Sequence, residues 1–339
     1  MDGGPMPDQK YTVYFIGTHA VRDPKDARDE LAAVNARMEM LPFLTAEDEL
    51  IESTRGADGL IVVNAPITRP VLEALENCRV VLRTGVGVDN IEIEAATDLG
   101  IAVVNVPDLW SREVANHALA LLLACNRQVL TKDSAIRSGD WATAFPTPVG
   151  SLHGETLGIV GLGRIGRALA KRAAALEFDL LACDPYIPDS VFQEYGVARV
   201  SFEEILDRSD YLSVHCPHTD ETRHMFGEEA FRRMKSTAYL VNTARGPVVD
   251  EIALLKALQE DWIAGAALDV METEPPDREN PLLRRDNVIL TSHVAYYSDA
   301  AVASLPLRCG QEVARVLTGR MPRNLVNPEV LEKLPLRSD

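Results

Sequence analysis

Short hydrophobic runs that alternate with helix-like stretches constrain this chain most. YTVYFIG (Tyr11–Gly17), LIVVN (Leu60–Asn64), RVVLRTG (Arg79–Gly85) and IAVVNV (Ile101–Val106) come first, with helix-like segments at 24–38, 46–55 and 91–99 between them. A second series runs LGIVGLG (157–163), DLLACDP (179–185), YLSVHCP (211–217), AYLVNTAR (238–245), AGAALDVMETE (264–274) and NVILTSH (287–293). Runs without polar alternation read as strands buried on both faces, the condition of a parallel sheet whose crossovers are helices. At 339 residues the chain exceeds the size at which one hydrophobic core stops growing, so the two series predict two α/β domains.

Between the series, SREVANHALALLLACNRQVL (111–130) reads as one long helix with Ser111 as N-cap, too apolar all round for a helix with one solvated face. A Gly-, Pro- and Ser-rich loop (138–153) ends it. A last helix is expected over 298–318, followed by an irregular tail that includes PRNLVNPEV. A chain that leaves its first domain, completes a second and returns makes the first discontinuous: 1–108 plus 298–339, with 109–297 as the second.

Composition excludes several classes of function. The net charge of −17 disfavours nonspecific binding to nucleic acid or anionic lipid, and it makes an anionic substrate depend on locally placed arginines. No apolar run approaches the ~20 residues of a membrane helix, and MDGGPMPDQK is not a secretory signal. The five cysteines (78, 125, 183, 216, 309) show neither CxxC nor zinc-ligand spacing, so no metal is expected and a reducing cytoplasm is the simplest setting. Cys183 and Cys216 read as buried thiols.

Gly161-Leu-Gly163-Arg164-Ile165-Gly166 follows a strand and opens a helix. Glycines there permit a tight turn, close approach of backbone to a pyrophosphate, and tight helix–strand packing, while the helix N-terminus offers N–H groups to phosphate. The next strand ends in Asp184, at about the ~20-residue distance expected of the acid that holds the adenosine ribose. Asp184 would repel a 2′-phosphate, and Pro185-Tyr186-Ile187 supplies no arginine to offset it, so NAD is favoured over NADP. Asp184 read only as a turn residue before Pro185 is the competing interpretation.

Arg245, Glu274 and His293 each follow one of the last three hydrophobic runs. Ligands of open parallel sheets sit beyond the carboxyl ends of the strands, so these groups should gather at one crevice. An arginine fork suits a carboxylate and an adjacent carbonyl oxygen. An imidazole can deliver or remove a proton near neutral pH, and a neighbouring carboxylate orients it and stabilises its charged form. Taken singly, each is equally well read as an ordinary polar residue at a strand end. Of the other histidines (19, 117, 153, 215, 218, 224), His215 is expected near the adenosine; the rest read as surface or packing residues.

RTGVGVDNIEIEAA (83–96), GETLGIVGLGRIG (154–166), LVNTARGPVVDE (240–251), GAALDVMETEP (265–275) and TSHVAYYS (291–298) resemble the D-2-hydroxyacid dehydrogenase family in five ordered motifs, over about residues 60–328. NVPDLWSREVANHAL and HVAYYSDAAV are most similar to its branch containing the C-terminal-binding-protein co-repressors. The resemblance implies two Rossmann-like or flavodoxin-like domains, a homodimer through the 111–150 segment, and NAD with a small 2-oxo or 2-hydroxy acid in a cleft. It places the catalytic set on Arg245, Glu274 and His293. It adds the Cys216–Thr222 loop with Pro217, and Thr243, Ala244 and Asp269, as nucleotide contacts, with Asp269 for the nicotinamide amide. Gly85-Val86-Gly87 and Asn64-Ala65 become the substrate-carboxylate walls. Two positions depart from the pattern: Ser292 replaces the usual proline, and Tyr296 stands where the co-repressors carry tryptophan, near a substrate side chain or packed against the returning helix. The resemblance also leaves open an NAD(H)-responsive interaction protein and a phosphoglycerate dehydrogenase; formate dehydrogenase is disfavoured, because it carries glutamine at the position of Glu274.

Overall fold

The computed structural model describes residues 10–17, 24–141 and 149–338. The chain divides into two compact units, Met1–Trp110 with Ser298–Asp339, and Ser111–Tyr297. The strands of the first unit are β1 (Tyr11–Ile16), β2 (Ala36–Leu41), β3 (Gly59–Val62), β4 (Val80–Arg83) and β5 (Ala102–Asn105). Those of the second are β6 (Thr156–Val160), β7 (Asp179–Cys183), β8 (Ala198–Arg199), β9 (Tyr211–Val214), β10 (Tyr239–Asn242), β11 (Gly265–Leu268) and β12 (Val288–Leu290). The helices are α1 (Lys25–Ala32), α2 (Glu47–Thr54), α3 (Arg69–Glu73), α4 (Ile93–Asp98), α5 (Pro107–Arg127) and α6 (Val129–Arg137). They continue with α7 (Arg164–Ala174), α8 (Asp189–Glu194), α9 (Phe202–Arg208), α10 (Glu228–Arg233), α11 (Glu251–Gln259) and α12 (Asp299–Leu317).

The first unit holds a five-stranded sheet in the order β2-β1-β3-β4-β5, with every pairing parallel. Its core joins Ile16, Leu60, Val62, Val81 and Val103 from the strands to Leu50, Val71 and Ala95 from the helices, all buried. The order reverses direction at β1/β3, so the segments after β3 and β4 (Asn64-Ala65 and Gly85-Val86-Gly87) emerge at the carboxyl edge where parallel sheets bind ligands.

The second unit is a seven-stranded sheet, β12-β11-β10-β9-β6-β7-β8, again wholly parallel. Its direction reverses at β6/β9, which puts the glycine turn after β6 at the switch point of the sheet. One face packs Ile205, Leu206, Phe226, Phe231 and Leu254 on the strands. The other packs Ala115, Ala118, Leu121, Leu122 and Cys125 of α5 together with Leu169 and Ala173 of α7. Much of the apolar breadth of α5 is therefore spent on the core of this unit.

Four local expectations are corrected. The helix expected over 24–38 ends at Ala32, and Ala36–Leu41 is the edge strand β2. The long helix begins at Pro107, so Ser111 is an interior residue and not its N-cap. Proline suits a first helical turn because its missing N–H would have no partner there. That helix is also two helices: Gln128 takes a left-handed φ of 52° and separates α5 from α6. Cys183 and Cys216 are only partly buried.

Candidate active site

The turn after β6 has the form the sequence expects. Gly161 has φ +94°, and a Cβ there would lie 2.6 Å from the Cys216 nitrogen. A Cβ on Gly166 would meet the Gly161 carbonyl oxygen at 2.2 Å. Both positions therefore require glycine: the first for conformation and strand contact, the second so that α7 can lie close to the turn. Gly163 has nothing within 4 Å of a Cβ, so the N-terminus of α7 is open on that side. Arg164 is exposed and Ile165 half-buried in the first turn of the helix. Asp184, at the end of β7, accepts from the Leu162 N–H at 2.8 Å and from the Tyr186 N–H at 3.0 Å, which ties it to the glycine turn. In the segment after β9, the Thr222 hydroxyl donates to the Pro217 carbonyl at 2.7 Å and accepts from the Thr219 N–H at 2.8 Å, so Thr222 shapes that loop from within. Burial raises the Cys216 thiol to about 12, leaving it a neutral wall residue.

Two further groups on this edge fit a bound nucleotide. The His215 Nδ1 and the Thr243 Oγ1 are buried without a hydrogen-bond partner among the described residues. Buried polar atoms are ordinarily paired, so orphans along the sheet edge that carries the glycine turn point to a polar ligand. His215 donates to or accepts from Ser213 Oγ at 2.8 Å, and burial lowers its pKa to about 4, so it is neutral near neutral pH.

The second unit also brings Glu274 and His293 together. The Nδ1 of His293 lies 2.7 Å from Glu274 Oε2, and the Met271 N–H donates to Glu274 Oε1 at 3.0 Å. Burial pushes the Glu274 carboxyl up, but the hydrogen bond and charge of His293, with the Met271 N–H, outweigh it and hold the carboxyl below the ordinary range. With Nδ1 engaged, Nε2 of His293 is the nitrogen left to exchange a proton with a ligand. His293 sits in the left-handed region at φ 54°, a conformation that costs a non-glycine residue on the order of 1–2 kcal/mol.

Because its folded pKa is depressed, Glu274 contributes stability above the ordinary glutamate value of about 4.3 and loses it as pH falls through the lower folded value. The melting-temperature difference between the wild type and Glu274→Gln should thus be larger near pH 5 than below about pH 4. A difference unchanged down to about pH 3 in differential scanning fluorimetry would contradict this.

Arg245 follows β10, and its loop is held by a residue that sequence reasoning passed over. Fully buried Asn242 donates from Nδ2 to the Arg245 carbonyl at 2.9 Å, and its Oδ1 accepts from the Ala244 N–H at 3.0 Å. Gly246 then packs on the Met271–Glu272 backbone so closely that a Cβ would stand 1.9 Å from the Met271 oxygen. The arginine loop and the loop carrying Glu274 are thus in direct contact. Half-buried Arg245 also donates to the Ala244 carbonyl at 2.7 Å. Asp269 is 2% exposed and clasps the histidine segment; Tyr296 is 39% exposed, with its ring edge-on to Tyr297.

In the first unit the Asn64 Oδ1 accepts from Arg83 Nη2 at 3.0 Å, and the Asn90 amide donates to the Ala65 carbonyl at 2.7 Å. The Val86 carbonyl accepts from the Asn105 amide at 2.5 Å. The Arg83 guanidinium fills the space a side chain on Gly85 would take, with Nη1 1.5 Å from that Cβ position. Arg83 was not singled out from the sequence, although it stands two residues before the glycine loop. His19 lies outside the described residues.

A doubly wound sheet with a glycine turn at its switch point, an acid after the next strand and an imidazole–carboxylate pair at its far end defines a nucleotide-dependent enzyme. Residues 119–295 match the NAD binding domain of the D-isomer specific 2-hydroxyacid dehydrogenases. The chain is 42% identical over 290 residues to a glyoxylate reductase of Korarchaeum cryptofilum, covering 84% of this chain and 87% of that one. It is 42% identical over 311 residues to a D-3-phosphoglycerate dehydrogenase of Methanocaldococcus jannaschii, covering 91% of this chain but 59% of that longer protein. Among solved structures, a D-lactate dehydrogenase from Aquifex aeolicus complexed with NAD and lactic acid superposes with a TM-score of 0.80 at 27% identity, covering 93% of this chain and 98% of the other. The chain belongs to the D-isomer specific 2-hydroxyacid dehydrogenase family, and its cofactor is NAD.

Proposed function

We propose that the protein reduces a small 2-oxoacid to its D-2-hydroxyacid with NADH, or runs the reverse reaction, with glyoxylate, hydroxypyruvate or a longer 2-oxoacid as substrate. The observation that carries this reading is the His293–Glu274 pair at 2.7 Å, set beside the Arg245 loop. Bound NADH supplies the hydride. Arg245 holds the substrate carboxylate and polarises the adjacent carbonyl, and Nε2 of protonated His293 gives its proton to the oxygen that becomes the hydroxyl. Glu274 stabilises the imidazolium before that transfer and keeps the ring in register afterwards. In the oxidative direction neutral His293 takes the hydroxyl proton.

Gly161, Gly163, Arg164, Ile165 and Gly166 would seat the pyrophosphate, and Asp184 the adenosine ribose. Cys216, Pro217 and Thr222 would wall the adenine side; Thr243, Ala244 and Asp269 would meet the nicotinamide half. Gly85, Val86, Gly87, Asn64 and Ala65 are assigned to the substrate carboxylate, and Tyr296 to the substrate side chain. In this scheme 1–108 with 298–339 is the substrate domain and 109–297 the NAD domain. Exposed Val129, Leu130, Ile136 and Trp141 support a homodimer through the 111–150 segment, whose residues 142–148 lie outside the described ones. The scattered free cysteines fit a reducing cytoplasm. Among the described residues no helix is long and apolar enough to cross a membrane.

A panel of glyoxylate, hydroxypyruvate, pyruvate, longer 2-oxoacids and 3-phosphohydroxypyruvate against NADH tests the proposal. Oxidation of NADH by any of the unphosphorylated acids supports it, and silence from all of them contradicts it. A strong preference for the phosphorylated member would favour a second reading, a phosphoglycerate-type dehydrogenase, to which Arg83 against Gly85 lends a second cation. Placement beside the co-repressors rests on the NVPDLWSREVANHAL and HVAYYSDAAV blocks. It predicts that NADH also changes the assembly state, as sizing with and without NADH would show.

Asp184→Ala should weaken NADH binding about 10- to 100-fold, the loss of one charge-assisted hydrogen-bonding group, and raise the NADPH-to-NADH ratio of kcat/KM. An unchanged ratio would mean that Asp184 only shapes the turn through Leu162 and Tyr186.

A further inference from the structure

Two buried or half-buried polar groups behind His293 have no part in the chemistry above. His117, on α5, points Nε2 at Thr291 Oγ1 (3.0 Å) and lies 3.6 Å from Asp269 Oδ1. The Thr291 hydroxyl is 2.5 Å from the same Asp269 oxygen. A carboxylate only accepts, so the single hydroxyl proton of Thr291 goes to Asp269. The Thr291 oxygen is then left to accept, and His117 must be the donor, with its proton on Nε2. The result is a directed chain: His117 Nε2–H to Thr291 O–H to Asp269.

Asp269 in turn grips the segment that carries His293. Its carboxylate accepts from the Val294 N–H at 3.0 Å and the Ala295 N–H at 2.9 Å, and its main-chain carbonyl accepts from the His293 N–H at 2.7 Å. These bonds flank the one residue of the segment with a left-handed φ. A strained backbone persists only where its surroundings over-determine it. Glycine, which would relieve the strain, cannot carry an imidazole. Asp269 supplies the constraint, and the orientation of Asp269 depends on Thr291 and, behind it, on His117.

We propose that His117 is a positioning residue for the reaction: by donating through Thr291 to Asp269 it fixes the left-handed turn that aims His293. It touches neither substrate nor the reacting atoms. The inference rests on the reductase reading, because it takes His293 as the proton donor. It departs from the sequence reading, in which His117 was a surface or packing residue.

The test compares His117→Phe, which keeps a ring but no donor, with His117→Gln, whose amide N–H stands near the place of Nε2, and with Thr291→Val. His117→Phe should lose about tenfold or more in kcat, the cost of a small misplacement of a catalytic group, while the NADH Kd changes less than about threefold. His117→Gln should recover most of the loss. The double variant His117→Phe/Thr291→Val should be no worse than the poorer single one, because both cut the same chain. Wild-type kcat in His117→Phe, no recovery with Gln, or losses that multiply in the double variant would each overturn the proposal. If His117→Phe does not fold, Thr291→Val carries the same expectation against His117→Gln. Should the wild type reduce no 2-oxoacid, the reductase reading fails and the positioning claim is still decided by carbethoxylation of His293, followed by mass spectrometry. The claim expects a changed rate at His293 in His117→Phe relative to wild type, and equal rates overturn it.

Discussion

His293→Ala should lower kcat by about 10²- to 10⁴-fold, the range contributed by a positioned general acid, while NADH binds nearly as tightly as in the wild type. The split follows from where the histidine stands. Its ring is tied to Glu274 through Nδ1, and Nε2 is the nitrogen left for the substrate. The groups assigned to the nucleotide (the Gly161–Gly166 turn, Asp184 and Thr243) lie on other segments. Truncating the ring removes the proton donor and leaves the main-chain bond from the His293 N–H to the Asp269 carbonyl in place. Fluorescence titration with NADH, beside steady-state kinetics, reads both quantities. Equal losses of NADH affinity and turnover would make His293 a structural residue.

The second large effect is expected at Arg245. Arg245→Ala should reduce kcat/KM by about 10³-fold or more, with KM raised and kcat lowered together. A guanidinium that holds the carboxylate in the ground state and polarises the carbonyl in the transition state contributes to both constants. Arg245→Lys should recover little, because a point charge does not reproduce a planar fork, and the net charge of −17 leaves no general positive field to substitute for it. Asn242 and Gly246 belong to the same arrangement: the first shapes the loop from inside, the second lets it lie on the Met271–Glu272 backbone. Recovery of most activity by lysine would show that Arg245 acts only as a diffuse cation.

The parts of this fold that could be read from the sequence are those where burial and periodicity agree. Strands such as β3 and β11 are buried at every position and appear as uninterrupted apolar runs. Strand β2 did not show itself because ARMEML is an edge strand, buried only at Ala36, and is built from strong helix formers; pairing with β1 overrides that propensity. The break at Gln128 carries no glycine or proline to announce it. Pro107, by contrast, was a usable sign of the true helix start.

The site divides in the same way. Arg245, Glu274 and His293 were visible because the ends of parallel strands share one edge, and the glycine turn because its spacing has a mechanical meaning. Asn242, Arg83 and His117 were not, because each acts through a partner many residues away or through a backbone carbonyl that spacing does not reveal. Ser292, where the family usually has proline, sits inside the strained segment gripped by Asp269. The turn is therefore set by N–H groups of His293, Val294 and Ala295 donating to the carbonyl and side chain of Asp269.

The central claim is that a guanidinium fork and a carboxylate-backed imidazole act together on a 2-oxoacid beside bound NADH. Its most direct test is a single-turnover reaction of the preformed NADH complex with the preferred acid, with chiral chromatography of the product. The account predicts one D-2-hydroxyacid formed for each NADH consumed, and no measurable product from the Arg245→Ala/His293→Ala double variant, which still binds NADH. An L product, or turnover that survives in the double variant, would contradict it.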